Sequence, residues 1–271
     1  MESYVTGRTR VTLIDLSDTL ENETSAFEPN RHQIQYIDHV QGMNMTVDVF
    51  KVDRSLLPAL FPDGHAWAVE VATLSSHSGT HIDAPYHYGP TSGGAPARTI
   101  EQLPLRWFFS DAFVLDMTHK RRGEGISAAD VEAALAAIGY VIKPYDIALI
   151  RTDTWKAFKQ AGYDMLHPGL ERSATQYLVE RGVKVIGIDA WGLDRPFDVM
   201  FREAAGGVRG RFWESHFYGK EREYCQIEKL TNLDKIPRPF GFKVACFPYK
   251  LKAASAAWTR AVAIIEEPAD G

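Results

Sequence analysis

The chain has 271 residues, 45% hydrophobic and 24% charged, an ordinary globular composition with room for one large domain or two small ones. A formal net charge of −5 offers no basic field for phosphates, so no nucleic-acid partner is expected. No apolar run reaches the roughly eighteen residues of a membrane span, and the N-terminus has no signal-like segment, so no membrane partner is expected and the cytoplasm is the expected location. The two cysteines, Cys225 and Cys246, form no C-x-x-C pair and read as small buried hydrophobes.

Short apolar runs rich in β-branched or aromatic residues predict strands at 11–16 and 67–74. The next stretch, 77–88, reads His-Ser-Gly-Thr-His-Ile-Asp-Ala-Pro-Tyr-His-Tyr and holds three of the chain's nine histidines. Ser-Gly-Thr makes a poor helix interior and Pro85 follows closely, so the segment is expected on an irregular turn leaving a strand. Gly79 lets the backbone fold tightly enough for His77 and His81 to converge. His81 and Asp83 alternate, as on an extended stretch, and so point the same way. Imidazole nitrogen and carboxylate oxygen suit zinc, manganese or ferrous iron. For one histidine, a polar loop capping backbone groups is the better reading. For two histidines and an aspartate around Gly-Thr, a metal site is.

Residues 91–96 read as a turn. A strand is predicted at 112–117. Ser127 to Asp130 forms a capping box, followed by Val131, Leu135 and Ile138 on one helical face and stopped by Gly139. A strand at 146–152, a helix at 170–181 stopped by Gly182, and a buried strand at 183–189 give an α/β signature. Residues 202–211, with three glycines, are a candidate mobile loop, and 261–266 is the last strand. Strands without helices before residue 127 imply a β-rich part beside the α/β unit.

The pattern His77-x-Gly79-Thr80-His81-x-Asp83-x-Pro85-x-His87-Tyr88 resembles the signature of the cyclase-like metal-dependent hydrolases, a family that includes bacterial kynurenine formamidase, isatin hydrolase and a trans-dienelactone hydrolase. The likeness extends to Ile14-Asp15-Leu16-Ser17, His167-Pro168-Gly169-Leu170, Gly187-Ile188-Asp189, Ile227-Glu228-Lys229-Leu230 and Arg260-Ala261-Val262. It implies one α/β domain over 1–271, a mixed fold whose central β-rich core is flanked by helices in the swivelling β/β/α manner. It implies metal ligation by His77, His81 and Asp83, a second metal position completed by His216 and Glu228, and His87 as the acid/base. A divalent metal is expected, zinc first and manganese second, with a small-molecule substrate and a homodimer or homotetramer.

The expected activity is hydrolysis of a small cyclic or aryl amide, or a lactone, by metal-activated water. The alternative is a cyclase or dehydratase acting on a polyketide-like or aromatic-pathway intermediate without net hydrolysis. A purely structural metal is disfavoured, because the usual closed zinc shells need more cysteines. Trp191, Phe212, Trp213, Phe217 and Tyr218 are candidate substrate walls, with core packing or a subunit interface as the other reading. Arg209 and Arg211 are candidate partners for a substrate carboxylate, or else solvated loop charges.

Overall fold

The computed structural model describes residues 1–28 and 30–269. Contacts divide the chain into two compact units, Met1–Leu20 with Ser76–Gly271, and Glu21–Ser75.

The larger unit is built on one mixed ten-stranded sheet. Its strands in chain order are β1 (Glu2–Thr6), β2 (Thr9–Asp15), β3 (His81–Asp83), β4 (Phe109–Asp116) and β5 (Ile147–Arg151). Then come β6 (Val185–Ile188), β7 (Cys225–Glu228), β8 (Phe240–Ala245), β9 (Ala256–Trp258) and β10 (Val262–Pro268). Their order across the sheet is β1-β2-β10-β8-β4-β5-β6-β7-β3-β9. The run β4-β5-β6-β7 is parallel, and the flanking pairs are antiparallel. This is the mixed α/β architecture expected, and the predicted strands at 112–117, 146–152 and 183–189 form the parallel centre.

The centre is apolar on both faces. Along β5, Ile147 and Leu149 enter one buried cluster, while Ala148 and Ile150 enter the other. A strand covered on both sides must read as a continuous apolar run, and Ile-Ala-Leu-Ile does. Each such large side chain contributes about 1.5–3 kcal/mol by leaving water. One face is covered by α1 (Ala128–Ile138) through Val131 and Leu135, and by α2 (Arg172–Glu180) through Ala174 and Leu178. The Ser127–Asp130 capping box forms as expected, and Gly139 closes α1 at φ 66°. Helix α2 is shorter than the predicted 170–181, because Gly169–Leu170 instead pairs as a two-residue strand with Gly125–Ile126. The other face is filled by Ile14, Leu16, Trp107, Phe108, Phe242 and Val244. Both cysteines are buried thiols.

Two further helices precede the late strands, α3 (Phe197–Ala205) and α4 (Glu214–Tyr218). Helix α3 corrects part of the loop expected at 202–211. Its amphipathic aromatic start outweighs the glycines, which begin only at Gly206.

The smaller unit pairs Gln33–Ile37 with Val69–Thr73 in an antiparallel hairpin. It also contains the helix His39–Phe50, in a stretch expected to be free of helix. Asp38 and Gln41 start that helix with a reciprocal capping box. No helix among the described residues is long and apolar enough to cross a membrane.

Candidate metal centre

The dodecapeptide folds as a turn, a strand and one helical turn. Gly79 takes φ 62°, the left-handed region that favours glycine. Thr80 pins the turn by donating its hydroxyl to the Lys229 carbonyl at 2.7 Å. The chain then enters β3, three residues long and buried, between β7 and β9. Strand alternation sends Ile82 into the core and leaves His81 and Asp83 on the other face. Glu228 is the direct antiparallel partner of His81, which places a carboxylate from 147 residues downstream against that imidazole (228 − 81). The turn Pro85–Tyr88 brings His87 back, and α4 delivers His216.

These groups converge on Asp83, which is fully buried. Its Oδ1 lies 2.9 Å from His77 Nδ1 and 3.3 Å from His81 Nε2. Its Oδ2 lies 3.9 Å from His216 Nε2 and 4.0 Å from His87 Nε2. Glu228 Oε2 is 3.7 Å from His81 Nε2. None of these approaches gives Asp83 Oδ1, Asp83 Oδ2 or His81 Nε2 a well-angled hydrogen bond. Buried polar atoms without partners cost free energy, and a divalent cation among them would remove that cost. Two donor sets, His77–Asp83–His87 and His81–Asp83–Glu228, each lie within 4.8 Å and share Asp83. Nitrogen and carboxylate donors at this spacing fit zinc or manganese.

The electrostatics of the cluster follow from burial and crowding. Burial pushes the Asp83 carboxyl up, but the surrounding imidazoles outweigh it and hold it well below the usual carboxylate range. Glu228 moves up instead, through burial first and then the charge of Asp83. His87 is pushed down to about 4, by burial first, against Asp83 and with the neighbouring imidazoles adding. It is therefore neutral at pH 7.

The putative-cyclase family profile matches residues 14–195 of this chain, about two thirds of its length. The chain belongs to that family. It is 26% identical over 194 residues to a kynurenine formamidase of Paracidovorax citrulli, covering 72% of this chain and 78% of that protein. It is 26% identical over 225 residues to an isatin hydrolase of Roseibium aggregatum, covering 79% and 81%. An isatin hydrolase crystallised with the product analogue thioisatinate superposes with a TM-score of 0.71 at 21% identity, over 95% of this chain and 93% of that one. Isatin hydrolase A from Ralstonia solanacearum gives 0.71 at 21%, over 94% and 92%. These structural likenesses show the fold. Membership of a family with such relatives agrees with the expected metal-dependent hydrolase.

Around this cluster, the expected substrate residues fall into separate groups. Trp213 stacks on His216 at 4.3 Å and 11°, and meets His87 edge-on at 5.7 Å. Phe217 packs against Trp213 at 5.8 Å and is partly exposed. Trp191 joins the same aromatic group through Phe197. Phe212 also contacts Phe197, whereas Tyr218 is buried in the core. Arg211 is committed to Glu171 at 2.6 Å, and Arg209 is exposed with no ion pair among the described residues. Neither arginine is brought to the ligand cluster.

Several supporting groups were given no role by the sequence. Ser255 Oγ holds His77 Nε2 at 3.0 Å, and the Leu193 N–H donates to Glu228 Oε1 at 3.0 Å. The Lys229 ammonium donates to the His77 carbonyl at 3.1 Å, with its own backbone strained at φ 59°. Asp194 bonds His216 Nδ1. None of these residues has a local pattern, because each works across elements far apart in sequence.

Proposed function

We propose that this protein hydrolyses the C–N bond of a small cyclic or aryl amide, or the ester bond of a lactone, at a centre held by His77, His81, Asp83, His216 and Glu228, with His87 as the proton carrier. The observation that carries the division of roles is the tethering of the side chains. His77 is held at Nε2 by Ser255, His81 at Nδ1 by the Gly79 carbonyl at 2.8 Å, and His216 at Nδ1 by Asp194. Glu228 is held through Oε1 by the Leu193 N–H. Metal-ligating histidines nearly always have their other ring nitrogen fixed in this way. His87 has no hydrogen bond at either nitrogen among the described residues, and its side chain is 23% exposed. A ring that is neutral, untethered and reachable by water suits proton transfer better than ligation.

A divalent cation in this cluster, zinc or manganese, supplies Lewis acidity that acidifies water and polarises a carbonyl oxygen. The protein contributes the rest. Asp83 and Glu228 offset the positive charge from within a buried setting. His87 accepts a proton from the attacking water and returns it to the leaving nitrogen or oxygen. The Trp213 face, with Phe217 beside it, offers a flat apolar wall to an aryl or unsaturated ring. The kynurenine formamidase and isatin hydrolase relatives support an aromatic amide as the first substrate class to test.

Turnover of isatin-like lactams and aryl formamides in oxygen-18 water tests the reaction type. Hydrolysis places one labelled oxygen in each product acid. A cyclisation or dehydration that leaves the product unlabelled would overturn the hydrolytic reading.

A further inference from the structure

His216 is carried by α4, a helix of only five residues. So short a helix does not hold its own axis in water. Asp194, itself buried, supplies what α4 lacks. Its carboxylate accepts from the Ser215 N–H at 2.8 Å and from the His216 N–H at 3.1 Å, and it also accepts from His216 Nδ1. One side chain therefore grips both the start of the helix and the ring the helix presents.

The backbone of Asp194 is fixed in turn. A Cβ on Gly169 would lie 2.2 Å from Arg195 N and from the Asp194 carbonyl carbon, so the two strands of chain touch at van der Waals distance. The neighbouring Arg195, buried as well, pairs in bidentate fashion with Glu203 at 2.7 Å for each contact, and donates to the Arg211 carbonyl at 3.0 Å. Asp194 cannot retreat from His216 without breaking these contacts.

We propose that Asp194 is a positioning residue that locks His216 in the Nδ1–H tautomer, so that the Nε2 lone pair faces Asp83. A carboxylate has no proton to offer, so the ring nitrogen beside it must carry one. The opposite tautomer would turn an N–H toward the ligand cluster and remove a donor. The inference rests on the metal reading above, but its first test does not need the metal.

In metal-free protein carrying ¹⁵N-histidine, at a pH where the ring is neutral, His216 is expected to show a protonated Nδ1 and a bare Nε2. In Asp194→Asn the side-chain amide can donate to the ring, and a mixed or reversed tautomer is expected. Zinc affinity, read by competition with a chromophoric chelator, is expected to fall about 10–100-fold. Glu203→Gln loosens the same loop but leaves the Asp194 carboxylate on the ring, so the tautomer should stay as in wild type and the affinity should fall less than in Asp194→Asn. A folded Asp194→Asn protein with an unchanged His216 tautomer would overturn the proposal, as would an equal loss of affinity in Glu203→Gln. A wild-type chain that binds no zinc, yet shows the fixed tautomer, would remove the metal reading and keep Asp194 in its positioning role.

Discussion

Asp83→Ala is expected to bind neither zinc nor manganese and to hydrolyse no faster than the uncatalysed background. Both donor sets share this carboxylate, so its removal dismantles either arrangement at once. The fold should survive, because the backbone of β3 stays paired with β7 and β9 and the Asp83 side chain belongs to neither apolar cluster. Thermal unfolding with and without metal separates the two effects. Free metal at 100 times its Kd stabilises the wild type by about 2.7 kcal/mol if only the folded state binds. The variant should gain nothing. Undiminished metal content after dialysis, measured by elemental analysis, would contradict the ligand assignment.

His87→Ala is expected to keep its metal and lose about 10²–10⁴-fold in kcat, the usual contribution of a positioned acid/base. KM should move little, since His87 is assigned to the transition state and not to ground-state binding. The ring sits within reach of Asp83 Oδ2, at 4.0 Å from Nε2, so ligation is the rival role. Metal content decides between them. Loss of metal from the variant would make His87 a ligand, and wild-type turnover would remove it from the proton path.

What the sequence made legible follows a physical pattern. Within the α/β unit, local signals with a period or a cap were read correctly. The strands at 112–117, 146–152 and 183–189 are continuous apolar runs, because the parallel centre of the sheet is covered on both faces. Helix α1 announced itself by Ser127, Asp130 and Gly139. The convergence of His77, His81, Asp83 and His87 was visible because all four lie on one turn-strand-turn segment. The helix His39–Phe50 was missed because Val40, Thr46, Val47 and Val49 are weak helix formers, yet its Asp38–Gln41 capping box was there to be read. Helix α3 was hidden behind the glycines that follow it.

Long-range pairing was out of reach. Nothing local to the four-residue strand β7, with its buried Gln226, says that it lies antiparallel to β3 in the register that sets Glu228 opposite His81. Glu228 and His216 were reached only through the family likeness. Asp194, Ser255 and the Leu193 N–H had no such guide, since their meaning exists only once the sheet has assembled around Asp83.

The most direct test is anomalous scattering from a crystal grown with zinc or manganese. The account predicts a strong peak beside Asp83, with imidazole nitrogens and carboxylate oxygens at about 2.0–2.2 Å and one coordination position filled by solvent. Absence of a peak there in fully metal-supplied crystals would contradict it, as would a peak whose shell is closed by protein alone.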